Sequence, residues 1–284
     1  MNNYLNSFIR SIIESITEFL PVSSTGHLFF YSSFFPFDGF GDDNVRFDDL
    51  FDIFIQSGAI LSVIVIYFYD LKEKLSKGIL FAIGKEKDPE GFNFWILIAT
   101  GSFPVLITGF IFKSFLDIIK SRNDLLLILG LTWFIGGLII ILTENYLEKR
   151  LESSNHTLPI SVKSAFLIGI FQCIALIPGV SRSAATIITA RILGYSRKTS
   201  AEFSFFVAIP VLIAAGLYKL YKYRDLLNGE RLILLTFGFV ATFLFCMVII
   251  KWFLNFIKRH SFAFFGYYRI LIGIIAISYF ILKN

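Results

Sequence analysis

The heptapeptides PVSSTGH (Pro21 to His27) and PGVSRSA (Pro178 to Ala184) each interrupt an apolar region of the chain, residues 4–37 and 160–195 respectively. A proline ends a helix because it lacks a backbone N–H and its ring clashes with the preceding turn. Backbone groups freed in this way are tolerated at membrane depth only where they are buried in protein or line a wet cavity. Each region is therefore predicted to form a re-entrant pair, consisting of a helix, a loop and a second helix.

Long apolar blocks surround these two regions. The chain has 284 residues, of which 56% are hydrophobic and 17% charged, and Phe alone occurs 35 times. Because ordinary soluble domains contain about 25% charged residues, this composition excludes a soluble globule and predicts a polytopic membrane protein. A helix needs about 20 mostly apolar residues to cross a bilayer. Six windows meet that length: 50–69, 93–112, 125–143, 201–219, 232–250 and 263–282.

The formal net charge of +5 is attributed to lysines and arginines beside the membrane spans. No basic face or recognition motif accompanies the excess, so no nucleic-acid partner is expected. The segment 70–91 holds five lysines and is predicted to be a cytoplasmic loop by the positive-inside rule. The segment 219–231, which lies outside on this count, is also basic.

The two proline loops are related by their spacing. Pro21 and Pro178 are 157 positions apart, and so are Ser24 and Ser181. The spacing predicts one integral membrane domain, 1–284, built from two repeats, 1–143 and 144–284, each with one re-entrant pair and three crossings. An odd number of crossings inverts the second copy. The predicted fold class is therefore all-α, with six transmembrane helices plus two re-entrant pairs in an inverted-topology repeat, whose loops meet near the midplane around an anionic ligand.

The first loop and the helix before it combine acidic, hydroxyl and imidazole groups. Glu14 and Glu18 lie on one face of a predicted helix, and acidic residues inside a membrane are usually functional. His27 follows two serines and a threonine. These neighbours are typical of acid, base or nucleophilic catalysis, so we predict that His27 is functional and not a satisfied core histidine.

The second loop predicts an anion site. Arg182 lies between two serines, directly after the helix break at Pro178 and Gly179. A guanidinium beside the N–H groups of a restarting helix suits a phosphate above all. Carboxylates and hydroxyls in one half, with a phosphate-sized cationic pocket in the other, are typical of phosphoryl transfer. The residues alone thus indicate a membrane phosphatase or a lipid-phosphate carrier.

Two segments of the chain match the motifs of a known family closely: ESITEFLPVSSTGH (Glu14 to His27) and PGVSRSAAT (Pro178 to Thr186). They resemble the undecaprenyl-diphosphatase family, also called the bacitracin resistance protein BacA family. FIQSGAILSV (Phe54 to Val63) and AEFSFFVAIP (Ala201 to Pro210) are similar to further family segments. The resemblance implies hydrolysis of undecaprenyl diphosphate to undecaprenyl phosphate and inorganic phosphate, which recycles the lipid carrier of peptidoglycan synthesis and confers bacitracin resistance. It also implies the bacterial cytoplasmic (inner) membrane, with the active site facing the periplasmic side.

The same resemblance implies roles for single residues. Glu18, Ser24, His27 and Arg182 are expected to be catalytic, with Ser24 attacking the terminal phosphorus and His27 managing the proton. Glu14 and Glu18 are expected to bind a divalent cation, Mg²⁺ or Ca²⁺. The expected diphosphate-binding residues are Ser23, Thr25, Gly179, Ser181, Arg182, Ser183 and Thr186. The family usually has Gly where this chain has Ser15 and Ala184.

Two alternatives stay open on the sequence. The nucleophile could instead be His27 or a metal-bound water. The protein could also be a lipid-phosphate flippase, because inverted repeats with paired re-entrant loops are typical of secondary transporters. The polyprenyl diphosphate lipid is the expected partner, and no oligomeric state is predicted.

Overall fold

A computed structural model of the chain describes residues 2–120, 122, 124–151 and 159–283. All regular secondary structure among these residues is helical. The α-helices are α1 (Asn3–Thr17), α2 (Ser24–Ser32), α3 (Asn44–Ile66), α4 (Phe68–Ala82), α5 (Glu90–Ile111), α6 (Lys113–Lys120), α7 (Leu125–Leu151), α8 (Val162–Gln172), α9 (Arg182–Ile192), α10 (Arg197–Lys222), α11 (Gly229–Phe256) and α12 (Ala263–Lys283). Short 3₁₀ helices lie at Gly41–Asp43, Cys173–Leu176 and Arg224–Leu226.

Six helices of the described chain, α3, α5, α7, α10, α11 and α12, are long and apolar enough to cross a membrane. Each coincides with one of the six predicted windows, so the prediction of six spans is confirmed. The prediction of a loop at 70–91 is wrong in part, because α4 occupies most of it and packs against α5. This helix is amphipathic and only 15 residues long, so a search for apolar stretches of spanning length passes over it.

The chain is helical on both sides of each proline loop, as predicted. The first break separates α1 from α2 and the second separates α8 from α9, and the two helices of each pair pack against each other. That these pairs are re-entrant in a bilayer, and that the domain consists of two inverted repeats, stay predictions.

Each pair of short helices packs against a spanning helix from the other half of the chain. α1 lies along α11, and the hydroxyls of Ser7, Ser11 and Ser15 donate to backbone carbonyls of α11 at 3.4, 3.2 and 3.2 Å. α8 lies along α5 in the same way, with Gly169 against the carbonyl of Gly101. Small residues permit these close approaches between helices. The two halves are therefore interlocked, and both proline loops reach the centre of the molecule.

One end of the bundle is marked by α4 and is called the α4 end below. The end of α3 reaches the start of α10 there, since the Tyr67 hydroxyl donates to Glu202 at 3.2 Å. Glu144, near the end of α7, accepts from Arg197 at the start of α10 at 2.8 Å, and from Ser261 just before α12 at 2.9 Å.

The opposite end of the bundle is marked by α6 and is called the α6 end. Arg46 at the start of α3 pairs with Asp225, which follows α10, at 2.6 Å. Arg231 at the start of α11 pairs with Asp43, which precedes α3, at 2.9 Å. The spanning helices therefore alternate in direction between the two ends.

Candidate active site

Two serines with the same unusual backbone conformation start the second helix of each pair. Ser23 caps α2 with φ of 75°, and Ser181 caps α9 with φ of 77°. They are the only non-glycine residues with positive φ in the described part of the chain. Each side chain accepts a hydrogen bond from a backbone N–H one turn into its helix, from Gly26 at 3.2 Å and from Ala184 at 3.1 Å. Such capping satisfies donors that have no partner within the helix.

These caps correct the register between the two loops. The spacing of 157 pairs Ser24 with Ser181, whereas the structure pairs Ser23 with Ser181. The reason is one extra residue between proline and cap in the second loop, where Gly179 has φ of +89°, a conformation that suits glycine. Ser24 and Arg182 are consequently equivalent, each being the first residue of its helix.

A buried carboxylate joins these two first residues. Glu18 accepts a hydrogen bond from the Ser24 hydroxyl at 2.5 Å on one oxygen and from the Arg182 guanidinium at 2.8 Å on the other. The side chains of Arg182 and Glu18 are 12% and 6% exposed, so this ion pair is screened little by solvent. Of the four residues expected to act together, the structure joins Glu18, Ser24 and Arg182, whereas His27 hydrogen-bonds to other groups.

A cavity of about 100 Å³ borders this cluster. Seven of the residues singled out in the sequence line it: Glu18, Ser23, Ser24, Thr25, Gly179, Ser181 and Arg182. The cavity therefore has hydroxyls on both loops and a single guanidinium. A small anion that enters it would meet hydrogen-bond donors from both halves of the chain.

Two further predicted residues, Ser183 and Thr186, hold the second loop in place instead of lining the cavity. The Ser183 hydroxyl donates to the carbonyl of Leu20 at 2.7 Å, which ties α9 to the first loop. The Thr186 hydroxyl donates to that of Ser204 in α10 at 2.7 Å. Arg182 donates to the Ser204 carbonyl at 3.0 Å, so α10 supports both residues.

Glu14 lies one turn before Glu18 in α1 and is fully buried. No described residue donates a hydrogen bond to either of its carboxylate oxygens. The carboxyl group of Glu18 lies within hydrogen-bonding reach of it, and Asp52 and Arg182 are within electrostatic reach. A buried carboxylate is ordinarily paired with hydrogen-bond donors or a cation, so Glu14 has unused capacity for a proton or a metal ion.

The chemistry of this carboxylate pair fits a hard divalent cation. Carboxylate oxygens are the ligands that Mg²⁺ and Ca²⁺ prefer. Within the described ranges, no group of three or more His, Cys, Asp or Glu residues could hold a metal ion. An ion bound at Glu14 and Glu18 would therefore need water or phosphate oxygens as further ligands, as Mg²⁺ commonly has.

His27 makes its hydrogen bonds to groups other than the Ser24 hydroxyl. Its Nδ1 lies 2.7 Å from the carbonyl oxygen of Ser23, and its Nε2 lies 2.8 Å from the hydroxyl of Tyr268 in α12. The ring packs between Trp133 and Tyr268, with centroid distances of 5.0 and 5.7 Å. His27 is not among the residues that line the cavity, and its catalytic role stays a prediction.

Arg269 is a site residue that the sequence analysis missed. Its fully buried guanidinium donates to carbonyls of both loops, at 3.2 Å to Pro21, 3.0 Å to Gly179 and 2.9 Å to Val180, and at 3.0 Å to Thr132 of α7. The two loops are thus fixed to each other through one side chain. The available signal was a charged residue inside a predicted span, which is usually functional or paired.

An apolar groove of about 370 Å³ adjoins the cavity, and Thr25, Ala175 and Leu176 line both. It runs between α5 and α10 toward the α6 end, where Lys113 and Tyr218 lie on its wall. A polar cavity connected to an apolar groove suits an amphiphile with a small anionic head.

Comparison with known proteins shows which family the chain resembles over most of its length. The family model of bacitracin resistance protein BacA matches residues 7–275. Relatives from several bacteria are named undecaprenyl-diphosphatase. That of Leptospira interrogans is 59% identical over 274 residues, which cover 96% of this chain and 97% of the relative. That of Leptospira biflexa is 55% identical over 283 residues, 99% of both chains, and that of Aquifex aeolicus is 38% identical over 274 residues, 96% of this chain and 97% of the relative.

Proposed function

The chain belongs to the bacitracin resistance protein BacA family, and we propose on this premise that it is a membrane phosphatase acting on undecaprenyl diphosphate. It releases inorganic phosphate and leaves undecaprenyl phosphate, the lipid carrier of peptidoglycan synthesis, and it confers bacitracin resistance. The observation that supports the reaction best is the pairing of Ser24 and Arg182 on the two oxygens of Glu18, beside a cavity and an apolar groove. The names of the relatives favour a phosphatase over the flippase alternative.

In the proposed reaction, Arg182 and the loop donors hold the terminal phosphate while the Ser24 hydroxyl attacks its phosphorus. A serine is a weak nucleophile at its ordinary pKa and needs an adjacent base. Glu18 is that base, because it already accepts the Ser24 proton in a hydrogen bond of 2.5 Å. The Ser24 oxygen–phosphorus bond forms, the bond from phosphorus to the bridging oxygen breaks, and undecaprenyl phosphate leaves. Water then hydrolyses the phosphoserine and releases inorganic phosphate.

Glu14 and Glu18 would hold a divalent cation, Mg²⁺ or Ca²⁺, in the proposed site. The unpartnered oxygens of Glu14 support this assignment. When bound, such an ion neutralises negative charge on the phosphate oxygens. The chain's own part is to hold Glu14, on the buried face of α1, one helical turn before Glu18, which caps the end of that helix.

The lipid tail is proposed to lie in the apolar groove. A phosphate at Arg182 places the first isoprene units beside Ala175 and Leu176, which line both the cavity and the groove. The tail comes from a bilayer that is as apolar as the groove, so close packing against these side chains, and not transfer from water, would hold it there.

We further propose that the protein lies in the bacterial cytoplasmic (inner) membrane with this site open to the periplasmic side. The α4 end holds the lysine-rich segment 70–91, which favours the cytoplasm. The groove extends toward the α6 end, where Lys113 lines it. The substrate's diphosphate would then enter from the side opposite the segment 70–91.

The direct test is phosphate release from undecaprenyl diphosphate by the purified protein in detergent, with excess Mg²⁺ and then with a chelator. The proposal predicts stoichiometric release of inorganic phosphate and undecaprenyl phosphate in the presence of the ion. A parallel assay in proteoliposomes follows movement of the lipid. Relocation of undecaprenyl diphosphate without any phosphate release would contradict the phosphatase and favour the flippase.

A further inference from the structure

The hydrogen bonds of His27 define which of its ring nitrogens holds a proton. The Ser23 carbonyl can only accept, so the Nδ1 atom 2.7 Å away must be protonated. In the neutral ring Nε2 is then an acceptor, and the Tyr268 hydroxyl, 2.8 Å away, donates to it. Both ring nitrogens are therefore engaged, and neither contacts the Ser24 hydroxyl, which donates to Glu18.

The carbonyl that His27 holds belongs to a residue in a strained conformation. Ser23 has φ of 75° and ψ of 90°, a region that costs about 1–3 kcal/mol for a non-glycine residue and persists only when neighbours over-determine it. The Ser23 carbonyl accepts from the Nδ1 of His27 and from the backbone N–H of the same residue, the latter at 3.2 Å. This turn directly precedes Ser24, so its conformation sets the direction of the Ser24 hydroxyl.

Tyr268 is placed to control the His27 ring. The two rings lie nearly parallel, with an interplanar angle of 7°, and Trp133 packs against His27 at 5.0 Å. Tyr268 precedes Arg269 in α12, and that arginine fixes the backbone of both loops. Arg269 thus contacts the main chain of the first loop, and Tyr268, the residue before it in the last helix, contacts the side chain of His27.

We propose that Tyr268 is a positioning residue for the reaction, acting through His27 on the Ser23 turn that presents Ser24. The Tyr268 hydroxyl keeps the Nδ1-protonated tautomer of His27, and this tautomer donates to the Ser23 carbonyl. His27 is in this account also a positioning residue. The assignment rests on the proposed phosphatase function for its kinetic consequences, whereas the tautomer itself does not depend on that function.

The kinetic experiment compares Tyr268→Phe with Tyr267→Phe, a neighbouring tyrosine on the same helix that is 61% exposed. Tyr268 is itself 39% exposed, and loss of its hydrogen bond to His27 lowers kcat of Tyr268→Phe about tenfold, with KM changed less than twofold. In a His27→Ala background, Tyr268→Phe has less than a twofold further effect, because its only route to Ser24 is lost. Tyr267→Phe stays within twofold of the wild type. A wild-type kcat in Tyr268→Phe, or losses that multiply in the double variant, would overturn the proposal.

A spectroscopic measurement tests the tautomer independently of catalysis. The protein is labelled with ¹⁵N-histidine, and the His27 signals are assigned by their disappearance in His27→Ala. We expect a protonated Nδ1 and an unprotonated, hydrogen-bonded Nε2, whose signal shifts in Tyr268→Phe and not in Tyr267→Phe. A proton on Nε2, or an Nε2 signal that is unchanged in Tyr268→Phe, would refute the inference even if the wild-type protein releases phosphate. The expected signals in a protein that releases no phosphate would refute the phosphatase and leave the His27–Tyr268 pairing standing.

Discussion

The substitution Glu18→Gln tests the role of Glu18 as a base separately from its structural role in linking the two loops. Glu18 links Ser24 at 2.5 Å to Arg182 at 2.8 Å, and glutamine keeps the size and one acceptor oxygen but cannot take a proton. Loss of a general base lowers the rate by about 10²- to 10⁴-fold, which is about 2.7 to 5.4 kcal/mol of transition-state free energy. Removing one partner of a buried ion pair costs about 3–5 kcal/mol of stability. The loss in Glu18→Gln should be smaller, because the amide oxygen can still accept a hydrogen bond from Arg182.

The assay for this variant is the initial rate of phosphate release at saturating undecaprenyl diphosphate and Mg²⁺, with the thermal midpoint followed by tryptophan fluorescence. Glu73→Gln, a substitution of an exposed glutamate in α4, is the matched control and should behave as the wild type. Glu14→Gln is expected to lose less in kcat than Glu18→Gln and to need more Mg²⁺ for half-maximal rate. Equal losses in kcat for Glu14→Gln and Glu18→Gln, or a Glu18→Gln rate within tenfold of wild type, would refute the assignment of Glu18 as base.

Three further predictions concern the anion site, the metal ion and the hydrogen bonds by which Arg269 joins the two loops. Arg182→Ala lowers phosphate release by about 10²- to 10³-fold, because a largely buried donor to the phosphate is lost, whereas Arg224→Ala on the surface leaves it unchanged; near wild-type turnover of Arg182→Ala would contradict the site. Chelation with EDTA abolishes release and added Mg²⁺ or Ca²⁺ restores it, and chelator-resistant activity would remove the ion from the reaction. Arg269→Lys replaces a planar fork by a point charge with three donors, so at least one of the four carbonyls loses its donor, at about 1–3 kcal/mol; the thermal midpoint and phosphate release should both fall, and an unchanged midpoint would contradict the role of Arg269 in joining the loops.

The spanning helices were predictable because hydropathy over about 20 residues depends on composition and not on tertiary contacts. Pro21 and Pro178 marked both breaks for a similarly local reason. α4 was missed because an amphipathic helix of 15 residues gives no spanning signal. The pairing of Ser23 with Ser181 was also missed, since positive φ at a serine depends on tertiary support that no sequence pattern displays.

The candidate site was predictable in its residue types and less so in its contacts. Intramembrane Glu18 and Arg182 drew attention because charges there are expensive without partners, and the structure pairs them at 2.8 Å. The partner of the Ser24 hydroxyl could not be read from the sequence, because His27 is nearer in the chain but its ring hydrogen-bonds to Ser23 and Tyr268. For Arg269 the sequence does contain a local signal, because it places a charged residue inside a predicted span.

In the proposed reaction, Ser24 becomes phosphorylated when Glu18 accepts its proton and Arg182 holds the phosphate. Undecaprenyl diphosphate labelled in its terminal phosphate is mixed with the protein, quenched within milliseconds and digested, and the modified peptide is mapped by mass spectrometry. We expect transient label on Ser24 in the wild type and none in Ser24→Ala. Label on His27, or turnover with no labelled residue at any quench time, would contradict it.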